Sequence, residues 1–336
     1  MGIPRTLSLV AALAVALAVP CPAAAQRTLK LATLAPEGSS WMKLMHEWDK
    51  AVQKRTHSRV RLKFQPGAVA GDERDMVRLM RQGRVHGAAL TGQGVGLLQP
   101  EVRVLELPFL IRSDAELDHL RRVMGEQLRQ RVAERGFVVL AWGDAGWIHV
   151  FSERALHTRA EFQKAKVWAW TDDPIVRALL QAFGVNGVPL GVPDVLPALT
   201  TGQVDVVYGS PLTTLTLGWY RKVKYIIDVP LVYATGAVVL SKSEFDRLEP
   251  EDQQALLETA RAMEAKLLRT VREGNVAAMV QLKKAGIQTV KLQPAVVAEY
   301  QTGSLKVWKQ LAGTVYSREA LDQVTRILSQ FRAGKR

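Results

Sequence analysis

Residues 165–215 read AKVWAWTDDPIVRALLQAFGVNGVPLGVPDVLPALTTGQVDVVYGSPLTTL, and no other stretch limits the fold as tightly. Lys166 to Trp170 alternate and are rich in β-formers, which predicts a strand. Thr171 or Asp172 can cap a helix with Pro174 in its first turn. Ile175, Ala178, Leu179, Ala182 and Phe183 then recur at helical spacing, and Gly184 stops the run. A short strand follows at Val188 to Leu190. A second helix holds Asp194 and Pro197 and runs into Gly202, and a third strand, Val204 to Tyr208, ends at Gly209-Ser210-Pro211. Strand–helix–strand–helix–strand is the pattern of a parallel sheet with crossover helices. Ligands of such sheets bind beyond the carboxyl ends of the strands, here Trp168 to Thr171 and Tyr208 to Ser210.

The rest of the chain repeats this grammar. Thr28 to Thr33, Val60 to Phe64 and Val85 to Thr91 read as strands, separated by helices that carry Trp41, Leu44, Met45 and Trp48, then Asp72 to Gln82. Gly92, Gly94 and Gly96 lack the spacing and the Lys of a phosphate-binding loop, and read as a flexible turn lining a cleft. Ser113 and Glu116 form a capping-box signature. Phe137 to Trp142 is a strand. The chain crosses to a second domain near Asp144 to Phe151 and returns through Tyr225 to Val229 and Tyr233 to Leu240. Two crossings imply two hinged lobes around a cleft. Pro250 to Gly286 is the longest helical pattern, about 50 Å at ~1.5 Å per residue, either continuous or broken at Gly274. The segment from Ala295 onward is helical.

At 336 residues the chain is long enough for two α/β domains. Residues 1–25 read as a cleaved secretory signal: Arg5, an apolar run from Leu7 to Val19, then Ala23-Ala24-Ala25 before Gln26. A cut there removes Cys21, the one cysteine, and excludes disulfide, thiolate and Cys-metal chemistry. The net charge of +13 is interleaved Lys/Arg and Asp/Glu, a basic surface rather than a nucleic-acid stripe. His46, His57, His86, His119, His149 and His157 show no metal spacing, and no G-x-S-x-G occurs. Asp172-Asp173 fit helix capping better than paired acid–base work, and Asp205 fits a structural place in its strand motif. No cofactor or metal is expected, and nothing requires an enzyme.

Several segments resemble the DctP-like solute-binding proteins of tripartite ATP-independent periplasmic (TRAP) transporters. Ala165-Lys166-Val167-Trp168-Ala169 stands at the family's G-x-K-I-R-V strand, and Ala198-Leu199-Thr200-Thr201-Gly202-Gln203-Val204-Asp205 at its A-L-Q-x-G-x-V-D motif. GAVAGDERDMVRLMRQG at 67–83 resembles its G-x-L-G-x-E-R segment, and Leu107-Pro108-Phe109-Leu110 its L-P-F element. Ala35 to Ser39 stand at its first ligand loop. The resemblance covers nearly all the chain after residue 25. It implies a two-lobed periplasmic-binding-protein fold of the α/β class, each lobe a mixed, mostly parallel sheet flanked by helices, with a long helix spanning both. The boundaries expected are 26–148 plus 233–273 for lobe I and 149–232 plus 274–336 for lobe II. Periplasmic capture of a small molecule and delivery to TRAP membrane subunits follow as expectations.

The departures from the family pattern concern charge. The resemblance places carboxylate-binding arginines at Trp168 and Ile148, and an asparagine at Gly209 or Ser210. The expected pocket is instead Leu34, Trp147, Ile148, Trp168, Trp170, Val192, Tyr208 and Gly209, with Thr91, Gln93 and Ser210 as polar groups. Such a pocket suits a largely apolar or aromatic ligand, because burying an unpartnered carboxylate there is costly. Some TRAP-like binders of this kind are associated with a tetratricopeptide-repeat lipoprotein, a further partner by analogy. Two alternatives stand beside this reading: a carboxylate held by another base such as Arg177 or Arg74, and a hydrolase on the same scaffold with Ser210 and His149 as its pair.

Overall fold

The computed structural model describes residues 26–334. The expected signal segment, residues 1–25, lies outside them. The first lobe begins β1 (Arg27–Thr33), α1 (Ser40–Arg55), β2 (Val60–Gln65), α2 (Glu73–Arg81), β3 (Gly87–Thr91) and α3 (Gly92–Leu98). A 3₁₀ turn, Pro100–Glu106, and α4 (Asp114–Glu134) lead to β4 (Phe137–Ser152). The second lobe follows as α5 (Arg159–Gln163), β5 (Val167–Trp170), α6 (Pro174–Phe183), β6 (Gly187–Leu190), α7 (Val192–Thr201), β7 (Val206–Gly209), α8 (Pro211–Thr216) and β8 (Tyr225–Ile227). The chain returns through β9 (Val232–Ser241) and α9 (Lys242–Asp246) to α10 (Pro250–Lys284), and ends with β10 (Gln288–Val290), α11 (Pro294–Leu311) and α12 (Arg318–Ala333).

The strands run β2-β1-β3-β9-β4-β7-β5-β6, with β8 on β4 and β10 on β8. β5 pairs in parallel with both β6 and β7, as the motif requires. One strand stitches the lobes: β4 is antiparallel to β9 from Phe137 to Ile148, then to β7 from His149 to Ser152. The crossing is therefore a single continuous strand, bent by register shifts at Val139/Ala141 and Asp144/Gly146. Both faces of each half-sheet are covered. Ala237 and Val239 face α2, α4 and α12, while Val238 and Leu240 face α1 and α10. In the second lobe Val206 and Val167 face one core and Val207 and Trp168 the other. Burial on both faces explains why these strands read as unbroken apolar runs.

Helix α10 is continuous through Gly274. Its buried Leu256, Met263, Leu267 and Val271 pack in the first lobe, and Leu282 in the second. Gly274 leaves room for Leu212 of α8, whose side chain would lie 3.1 Å from any Cβ there. Asn275 donates to Ala145 O at 3.1 Å and accepts from Leu212 N at 3.0 Å, pinning the helix to β4 and α8. The expected placement of 274–336 in lobe II does not fit the C-terminus. α12 buries Val324 and Leu328 with Leu117 and Leu120 of α4, and Arg332 bonds Glu116 at 2.8 Å. Its apolar stripe finds its partner on the first lobe.

Candidate functional site

A cavity of about 400 Å³ lies between the lobes. Leu34, Thr91, Gln93, Ile148, Trp168, Trp170, Val192, Tyr208, Gly209 and Ser210 all line it. Trp147 does not. Gly146, at φ +101°, sits at a register shift of β4, so Trp147 turns away from the cavity to donate to Asp114 at 2.9 Å and pack edge-on against Tyr233.

The strand ends build an aromatic wall. The Trp168 ring stacks on Tyr208 at 4.5 Å between centroids and meets Trp219 edge-on at 5.3 Å. Trp168 Nε1 donates to Leu190 O at 3.0 Å, and Tyr208 Oη accepts from Trp170 N at 3.0 Å. These bonds engage the polar atoms of both rings, so the wall meets the cavity with apolar surface. Two of the expected polar groups are already engaged: Thr91 Oγ1 donates to Glu73 at 2.9 Å, and Ser210 Oγ to Thr213 Oγ1 at 2.9 Å.

Charge enters through residues that the motif comparison passed over. Arg103, Glu73, Glu106 and Asp173 are all buried in the lining. Arg103 donates to Glu106 at 2.6 Å and to both oxygens of Asp173 at 3.0 and 2.9 Å. Burial works against the Arg103 charge, but the two carboxylates hold its pKa above the usual arginine value. Burial also raises Glu106, against the pull of Arg103. Glu73 accepts from Thr91 N, Thr91 Oγ1 and Gly94 N, yet burial pushes it up to about 8. The glycines of α3 make this cluster possible. A Cβ at Gly92 would meet Glu106 at 2.1 Å, at Gly94 Glu73 at 2.5 Å, and at Gly96 the Arg103 side chain at 2.5 Å. The 92–96 segment is thus a tightly packed helix that cradles three buried ionisable side chains, not a flexible turn. Glycine at every second position was the sequence signal for it.

Several bonds tie the lobes together over the cavity. Trp170 Nε1 donates to Asp72 at 2.8 Å, Gln93 Nε2 to Thr171 O at 3.4 Å, and Arg74 to Asp172 at 2.5 Å. The residue that caps α6 is Asp173, which accepts from Ile175 N and Val176 N, rather than Thr171 or Asp172. Asp172 takes a left-handed φ of 63° and faces Arg74 and Arg177 instead. Both arginines are about 70% exposed, at 69 and 71%, and neither lines the cavity, so the carboxylate clamp expected of them is absent. His149 lies opposite Gly209 in the ladder, but its Nδ1 bonds Ile227 O at 2.9 Å while Ser210 bonds Thr213. The two are neighbours without forming a nucleophile–base pair. Asp205 is structural, accepting from Lys166 N at 2.7 Å and Arg154 at 3.2 Å. Among the described residues no group of His, Cys, Asp and Glu could hold a metal ion, and no helix is long and apolar enough to cross a membrane.

Residues 31–314 match the bacterial extracellular solute-binding proteins of family 7. A solute-binding protein of Verminephrobacter eiseniae is 29% identical over 276 residues, 80% of each chain. The 2,3-diketo-L-gulonate-binding periplasmic protein of Escherichia coli is 26% identical over 241 residues, 71% of this chain and 73% of that one. A TRAP periplasmic solute-binding protein of Xanthobacter autotrophicus, solved with bound β-D-galacturonate, superposes with a TM-score of 0.83 at 19% identity, covering 90% of this chain and 99% of that one.

Proposed function

We propose a function from one premise: the chain belongs to the bacterial extracellular solute-binding proteins, family 7, and is a TRAP solute-binding protein rather than an enzyme. On this reading it works in the periplasm, closes its two lobes around a small molecule and hands it to TRAP membrane subunits. The lobes divide where β4 and β9 cross, and the described part of the chain after Val307 goes with the first. The tetratricopeptide-repeat lipoprotein remains a proposed further partner.

The ligand we propose is largely apolar or aromatic. One observation carries this: Arg103 is the one cation among the described residues lining the cavity, and its two terminal nitrogens are already paired with the carboxylates of Glu106 and Asp173, leaving only Nε without a partner. A carboxylate ligand would add a third anion to that cluster and leave its own charge unpaired, a costly burial. The stacked Trp168 and Tyr208, with Leu34, Ile148 and Val192, instead favour apolar surface at roughly 25 cal/mol per Å². The Xanthobacter autotrophicus protein holds galacturonate and the Escherichia coli protein binds 2,3-diketo-L-gulonate, both sugar acids. A second reading therefore has Asp173 swing away and a ligand carboxylate replace it on Arg103.

Native mass spectrometry of protein purified without added ligand separates the two. The apolar reading expects a co-purifying adduct that organic solvent extracts. An extracted sugar acid in its place would establish the second reading.

A further inference from the structure

The cavity continues past the aromatic wall into the second lobe. There Leu180 and Phe183 of α6 face Val297 and Tyr300 of α11. This arm is apolar apart from two hydroxyls one helical turn apart on α11. Tyr300 Oη and Ser304 Oγ are both buried and have no partner within the protein. Ser304 is fully buried, and Tyr300 stands edge-on between Phe183 at 4.9 Å and Phe162 at 6.0 Å. Burial raises the Tyr300 phenol to about 12, so it stays a donor at any physiological pH. Buried hydroxyls without partners are rare because each forfeits a hydrogen bond that water would have supplied. Apolar packing alone would be served by Phe and Ala.

We propose that the space between α6 and α11 is a second subsite, which takes the far end of an elongated apolar ligand and offers Tyr300 and Ser304 to an oxygen at its tip. This deepens the apolar reading above and rests on it. The ligand class is a chain or fused-ring hydrocarbon with an oxygen function at each end, one end in the cleft and the other on α11.

Calorimetry with paired 1-alkanols and α,ω-alkanediols of matched length tests it. The diol of the best-fitting length should bind about tenfold more tightly than its alkanol. Tyr300→Phe with Ser304→Ala should abolish that preference while alkanols still bind. Val297→Trp should shorten the longest chain accepted, an independent arm should the double variant fail to fold. Alkanols that bind with no diol preference, or a preference that survives the double variant, overturn the subsite alone. Failure of every alkanol and diol at every length overturns the apolar reading as well.

Discussion

Arg103 reaches across the cleft and donates to both carboxylate oxygens of Asp173, at 3.0 and 2.9 Å. The arginine stands on the 3₁₀ turn after α3 and the aspartate caps α6, so one ion pair, both carboxylate oxygens on the single nitrogen Nη2, joins the two lobes over the cavity. Asp173 holds one terminal nitrogen of the guanidinium and Glu106 the other. The chain thus carries its own counter-ion into the closed cleft.

Asp173→Asn should loosen that closure while keeping a competent helix cap, since asparagine caps as well as aspartate. Removing one member of a buried pair costs about 3–5 kcal/mol. We expect a lower Tm and, in small-angle scattering, a larger radius of gyration. An unchanged radius would mean that Trp170–Asp72 and Arg74–Asp172 suffice to hold the lobes together.

Glu73 predicts a pH dependence. Its ordinary pKa is 4.5 and burial raises it to about 8 in the folded state. Between these values the folded state keeps a proton that the unfolded state releases, so stability falls as pH rises from about 4.5 to about 8 and levels off beyond. Glu106, raised in the same direction, adds to the slope. Thermal melts across this range should show Tm declining, and Glu73→Gln should flatten the decline. An equal slope in the variant would place the proton elsewhere.

The parallel β5–β6–β7 unit was legible because β5 and β7 are apolar on both faces and each helix carries its own stop, Gly184 and Gly202. Ten of the eleven expected pocket residues line the cavity; most lie at strand ends or in the turns and first helical turns beyond, where such sheets open, while Ile148 lies inside β4 where it passes between the lobes. Trp147 failed because a register shift reverses the alternation on which its placement depended. The Arg103 cluster was hidden because its members come from α2, the 3₁₀ turn and the α6 cap, up to 100 residues apart, and only packing brings them together. The place of α12 was equally non-local, since an amphipathic stripe does not say which lobe it covers.

Asn275 holds α10 where the lobes meet, bonding Ala145 O on one side and Leu212 N on the other. Asn275→Ala leaves both groups without this partner, at about 1–3 kcal/mol each if they stay buried. We expect a drop in Tm of several degrees with the helix content unchanged in circular dichroism. A Tm equal to the parent's would show that water replaces both bonds.

On the proposed reading this cleft prefers apolar surface to charge. Trp168→Ala removes a buried ring from its wall, and such truncations typically cost 3–5 kcal/mol in a core. The most direct measurement is calorimetry of the unaltered protein with galacturonate beside an alkanol. We predict no detectable heat with the acid, and alkanol binding that tightens with chain length with a negative heat-capacity change, the mark of apolar burial. Micromolar binding of galacturonate, lost on Arg103→Met and indifferent to chain length in the alkanols, would contradict the account.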